Sequence, residues 1–160
     1  AEKYYDESFA LSVQHGKPLA DAVNNMGNLY FRQEKYQRAA EFYKKALELA
    51  RQDNNRLLAL SSLASLGEVF TKARQSRPAQ LYLDSALTLC HELQALMMEP
   101  AILRSMATNY ANQNKMAEAY ATMQQYDASR EKVFGEESTA RIAQMEMALS
   151  IRDREEAFEA

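Results

Sequence analysis

Few residues in this chain could do bond chemistry. Cys90 and His91 stand side by side, and His15 is the only other histidine. A thiol beside an imidazole suggests either a nucleophile with its base or two ligands of a zinc site. The spacing serves neither: adjacent residues on a helix point about 100° apart. A zinc site needs about four ligands, or three and a water, and the chain has no further Cys or His to complete one. A nucleophile, base and orienting group cannot be assembled from two histidines so placed. Glycine-rich phosphate loops are absent. Cys90 therefore reads as a buried side chain and His91 as a surface one, with no enzyme activity, cofactor or metal expected.

What remains is binding, and binding needs a scaffold. Charged residues make up 26% of the chain and hydrophobic ones 47%, which is the balance of a folded globular protein. With 4 Gly and 3 Pro there is little material for the turns of an all-β fold, whereas good helix formers dominate. An all-α fold follows. The net charge of −3 and pI near 5.5 argue against a nucleic-acid binder, which would show a basic face. One cysteine allows no intramolecular disulfide and leaves the compartment unread. No apolar run approaches the roughly 18 residues of a membrane span. No direct membrane contact is expected of this segment, whether it is cytoplasmic or the periplasmic part of an anchored protein. The chain starts and stops within helical patterns, as a piece of a longer protein would.

Taken in order, Tyr5, Phe9 and Val13 give helical spacing before Gly16 and Pro18 mark a stop and a start. Helices are predicted from Leu19 to about Arg32, from Tyr36 to Gln52, and over 56–72. Ser76 can cap the next, with Pro78 in its first turn, and Glu99-Pro100 opens another. Gly135 reads as a helix end, followed by one more helix over 136–160. Two glycines are left inside helices: Gly27 and Gly67, where each costs about 1 kcal/mol relative to Ala. They stand 40 residues apart on the same face, and Ala107 stands 40 further on. Small residues at that period imply close helix approach. The methionines Met26, Met106, Met123 and Met145 fall on core phases and read as packing.

The periodic set resembles the tetratricopeptide repeat, whose pattern begins Leu-Gly-x-x-Tyr and continues through Ala, Phe and Ala. Met26, Gly27, Tyr30, Ala39, Tyr43 and Ala46 match it. So do Leu66, Gly67, Phe70, Ala79, Leu83 and Ala86, and again Met106, Ala107, Tyr110, Ala119 and Met123. Tyr126 departs where a small residue is expected, the proline that usually closes the second helix is missing, and the period exceeds the standard 34 by about 6 residues. The resemblance covers 19–133 and implies a right-handed α-solenoid of antiparallel helix pairs. As a single domain, 1–160 divides into a half repeat (1–16, second helix only), repeats at 19–55, 56–97 and 99–134, and a capping or linker helix at 136–160.

The resemblance also implies a concave groove lined by the first helix of each pair. Groove positions then fall at Asp21, Asn24, Asn25, Asn28, Phe31 and Arg32 in the first repeat. They continue at Ala64, Ser65, Glu68, Thr71 and Lys72, and at Arg104, Ser105, Thr108, Ala111 and Asn112. Amides and hydroxyls both donate and accept, so this row suits an extended peptide backbone. Asn28 matches a position that often grips peptide in the family. A two-carboxylate clamp is disfavoured, because Asn24 replaces its lysine and only Arg104 supplies a cation in the third repeat. The expected role is a scaffold for a peptide or helix of a partner protein. The alternative is an input domain of a larger bacterial signal-transduction protein, because the tail from Glu136 resembles a segment leading to a kinase, cyclase or DNA-binding output. The terminal helices could also pair with another copy of the chain.

Overall fold

A computed structural model describes Glu7 and residues 19–159, all the regular structure of which is helical. The half repeat expected over 1–16, with Gly16, and the helix start at Pro18 lie outside the described residues. The helices are α1 (Ala20–Arg32), α2 (Tyr36–Gln52), α3 (Arg56–Lys72), α4 (Ser76–Glu92), α5 (Glu99–Asn112) and α6 (Met116–Glu159), with one 3₁₀ turn at Leu96–Met98 before α5. They form an α-solenoid. Among the described residues no helix is long and apolar enough to cross a membrane.

The chain turns every 20 residues, twice per repeat. Glu34, Asn54, Arg74, Gln94 and Asn114 all take positive φ, between 52° and 60°. Each follows a helix end, and the next residue's N–H reaches back five residues to a helical carbonyl. Lys35 N donates to Tyr30 O at 3.0 Å, and the same bond recurs from Asn55, Gln75, Ala95 and Lys115. This is the Schellman closure, which satisfies carbonyls that a helix end otherwise leaves bare. Asparagine tolerates the left-handed region; Glu34, Arg74 and Gln94 adopt it against a cost of about 1–2 kcal/mol each.

Within a repeat, the two helices meet where the period placed a small residue. A Cβ on Gly27 would lie 2.6 Å from Tyr43 Cε1, and one on Gly67 would lie 2.5 Å from Leu83 Cγ. The glycines are therefore notches into which the second helix inserts a large side chain. Beside them, Tyr30 stacks on Phe42 with centroids 5.3 Å apart, and Phe70 on Tyr82 at 5.6 Å. The third repeat keeps the backbone and loses the stack, since Thr122 stands where Phe42 and Tyr82 stood; its hydroxyl bonds Glu118 O instead. Tyr126 is half-buried against the core.

Four expectations change. Gly135 does not end a helix: α6 continues through it to Glu159, and nothing lies within 4 Å of where its Cβ would be. Good helix formers on both sides extend the hydrogen-bond ladder, and one glycine costs too little to stop it. Residues 136–159 are thus the second half of α6 rather than a separate helix. Ser76 is not a cap; Gln75 holds that position without a side-chain bond. Met26 and Met106 are buried, but Met123 and Met145 are 38% and 65% exposed, because among the described residues no helix covers that side of α6.

Candidate functional site: the inner face of the array

Curvature decides which helices line the groove. Among the described residues α1 packs on α3 and α3 on α5, while α2, α4 and α6 do not touch one another. The helices that touch have the shorter path, so α1, α3 and α5 form the inner face. The 40-residue period then turns sequence positions into rows across that face: 24/64/104, 25/65/105, 28/68/108, 31/71/111 and 32/72/112.

The rows differ in availability. Asp21, Asn25, Arg32, Lys72, Arg104 and Thr108 are exposed, and Asn24, Asn28, Phe31, Ala64, Ser65, Glu68, Ser105, Ala111 and Asn112 are half-buried. Thr71 is 3% exposed. Its hydroxyl donates back to Gly67 O at 2.7 Å, the usual way a helical threonine satisfies itself. Thr71 therefore cannot reach a groove ligand with its side chain. Asn112 Nδ2 donates to Thr71 O at 3.2 Å, so this amide ties α5 to α3. Phe31 lies over the turn against Tyr36, centroids 5.8 Å apart. Besides the exposed Asp21, Arg32, Lys72 and Arg104, the rows at 25 and 28 and their repeats are left accessible on the inner face.

Tyr43 organises the centre of those rows. Its ring fills the Gly27 notch from α2, is 2% exposed, and passes its hydroxyl through to the inner face. There the hydroxyl donates to Asn28 Oδ1 at 2.7 Å. Burial pushes the phenol up to about 12; the Glu68 carboxylate adds to this, while a hydrogen bond with Ser65 and the charge of Arg32 oppose it. Four expected groove residues from two repeats thus surround one buried hydroxyl. With Oδ1 committed to Tyr43, the orientation of the Asn28 amide is fixed and its Nδ2 is the donor that remains.

Sequence reasoning missed Asn109. It is fully buried, donating from Nδ2 to Ser76 O at 3.1 Å and Gln80 Oε1 at 3.2 Å, while its Oδ1 has no partner. Leu29 and Val69 hold the same place in the other repeats, so a polar residue in an apolar column was the signal. Asn24 Oδ1, also buried without a partner, belongs to α1 at the end of the described array.

Away from the inner face, Cys90 is buried and its thiol donates to Ala95 O at 3.2 Å, with burial and then Glu99 raising its pKa. His91 is exposed and meets Glu99 at 2.5 Å. Among the described residues no group of three or more His, Cys, Asp or Glu could hold a metal ion. On the outer side, a cleft between α2 and α3 is lined by Tyr36, Ala40, Lys44 and Phe70, and Lys44 Nζ lies 5.4 Å above the Phe70 ring.

The fold has known counterparts. Residues 18–91 match the family model of the tetratricopeptide repeat. The crystal structure of BtubC (BKLC) from P. vanneervenii superposes with a TM-score of 0.74 at 19% identity, covering 84% of this chain. This chain spans 57% of that one's length, and the likeness is one of fold. No curated protein matches the sequence. Over residues 18–91 this chain is thus similar to the tetratricopeptide repeat, and its third helix pair continues the same 40-residue period.

Proposed function

We propose that the chain is a non-catalytic scaffold that holds an extended peptide, or a helix, of a partner protein along its inner face. Tetratricopeptide repeats generally mediate protein–protein interaction. The observation that carries the reading here is the fixed amide of Asn28, oriented by Tyr43 and left with its donor on a row shared with Glu68 and Thr108. Asn25, Ser65 and Ser105 form the neighbouring row. Such groups grip backbone amides and impose register rather than side-chain identity. Charges around the rows are mixed, Asp21 and Glu68 against Arg32, Lys72 and Arg104, so neither nucleic acid nor a strongly charged peptide is favoured.

The test starts from a random-peptide display library selected on the chain. Asn28→Asp keeps an acceptor for Tyr43 and removes the outward donor. Selected peptides should lose about tenfold in affinity, the worth of one good hydrogen bond to a peptide (~1.4 kcal/mol). Equal binding by the variant would contradict the reading.

A second reading is favoured by the length of α6 beyond the repeats: an input domain of a larger bacterial signal-transduction protein. The reading frame past Ala160 decides it. A span of roughly 20 apolar residues or a catalytic or DNA-binding domain supports it, and an early stop codon removes it. Self-association through the terminal helices is a further property this architecture permits.

A further inference from the structure

Among the described residues, nothing packs on the second half of α6. From Gly135 to Phe158 it extends about 36 Å at 1.5 Å per residue. Every described residue from Arg141 to Phe158 is exposed, Ile142, Met145 and Leu149 among them at 57%, 65% and 51%. An isolated helix in water is marginal even with good propensity, so this surface is built to be covered.

The sequence of the surface says by what. Ser138, Ile142, Met145 and Leu149 are spaced 4, 3 and 4 residues apart, the seam of a two-helix coiled coil. Arg141 immediately precedes the seam at Ile142, and Glu146 immediately follows Met145. In a parallel, in-register pair, these are the flanking positions that face each other across the interface, Arg141 of each copy against Glu146 of the other. In an antiparallel pair the position of Glu146 would face its own kind, Glu146 or Asp153, and repel. The opposite stripe, Met147, Ile151 and Phe158, is flanked by Ala143, Ala148, Ser150 and Glu155, which offer no opposite charges. Arg152 and Glu156 occupy the next seam positions and pair within the helix at 3.6 Å, so the apolar seam stops at Leu149.

We propose that residues 138–149 of α6 pair in parallel with the same residues of a second copy of this chain, making a weak symmetric dimer. The two-fold axis runs along the seam, the interface closes on itself, and both arrays project from the same end. Arg141 bonds Glu137 of its own helix at 2.8 Å in the single chain; in the pair its guanidinium turns to Glu146 of the other copy. The pairing does not depend on groove binding, and its failure would leave that reading untouched.

Sedimentation equilibrium of the full chain tests it. The mass should rise toward twice 18.2 kDa at sub-millimolar concentration and stay monomeric for Leu149→Glu, a change at an exposed site that leaves the repeats folded. Arg141→Glu sets like charges together and should weaken the dimer about tenfold, and Arg141→Glu combined with Glu146→Arg should restore it. A mass of one chain throughout overturns the proposal, whether the seam is empty, folded back on its own array or reserved for another protein. A double variant as weak as Arg141→Glu overturns the parallel register.

Discussion

Tyr43 and Asn28 belong to different helices of one repeat and meet through a single 2.7 Å hydrogen bond at the inner face. Tyr43 is there because Gly27 has no side chain to keep it out. One residue of the family pattern thus orients another that the pattern leaves free. The residue proposed to bind a peptide is therefore also part of the fold.

Removing the amide should accordingly be felt in stability. Asn28→Ala strips the acceptor from a buried hydroxyl and should cost about 1–2 kcal/mol in urea unfolding, whereas Asn28→Asp should cost less. Equal stability of wild type and Asn28→Ala would mean that the hydroxyl finds another acceptor.

Alkaline unfolding reads the same phenol. In the unfolded chain Tyr43 ionises near 10, and in the fold it is held to about 12. The folded state keeps its proton longer, so the contribution is complete below pH 10 and is lost as pH rises through 12. Its size is up to about 3 kcal/mol by linkage. Tyr43→Phe should flatten the stability–pH curve in that window, as followed by circular dichroism, and an unchanged curve would remove the phenol from the account.

Substituting the two notch glycines and substituting Gly135 should have opposite effects. Gly27→Ala drives a methyl into the buried Tyr43 ring, and overpacking of about 1–3 kcal/mol exceeds the helix-propensity gain of about 1. Gly67→Leu should prevent the array from folding, since even a Cβ there meets Leu83. Gly135→Ala meets nothing and should slow amide exchange in the second half of α6, in line with a propensity gain of about 1 kcal/mol.

The turns give a stabilising prediction. Glu34→Gly or Arg74→Gly relieves a left-handed residue at about 1–2 kcal/mol, offset by about 0.5–1 of extra chain entropy. A rise in melting temperature is expected from each, and a fall would show that the side chains contribute more than the backbone strain.

Much of this architecture was legible because its signals are periodic. The small residues at 27, 67 and 107 mark where helices touch. The left-handed turns were not legible, since Glu34 and Arg74 have no preference for that conformation and only the uniform closure of the solenoid imposes it. Gly135 misled for the converse reason: it is a signal for a helix end with no tertiary contact to enforce one. The expected groove positions lie on α1, α3 and α5, but the period does not separate buried from exposed side chains among them. Thr71 sits in an exposed-looking column and is buried because α5 covers it, and Asn112 is spent holding that contact. Those are consequences of how repeats stack, and a single repeat does not record them.

Binding on the inner face is the central claim, and amide chemical-shift mapping with a display-selected peptide tests it most directly. The account predicts shifts confined to Asn25, Asn28, Ser65, Glu68, Ser105 and Thr108 and their neighbours on α1, α3 and α5. Shifts centred instead on Tyr36, Lys44 and Phe70, at the outer cleft between α2 and α3, would contradict it.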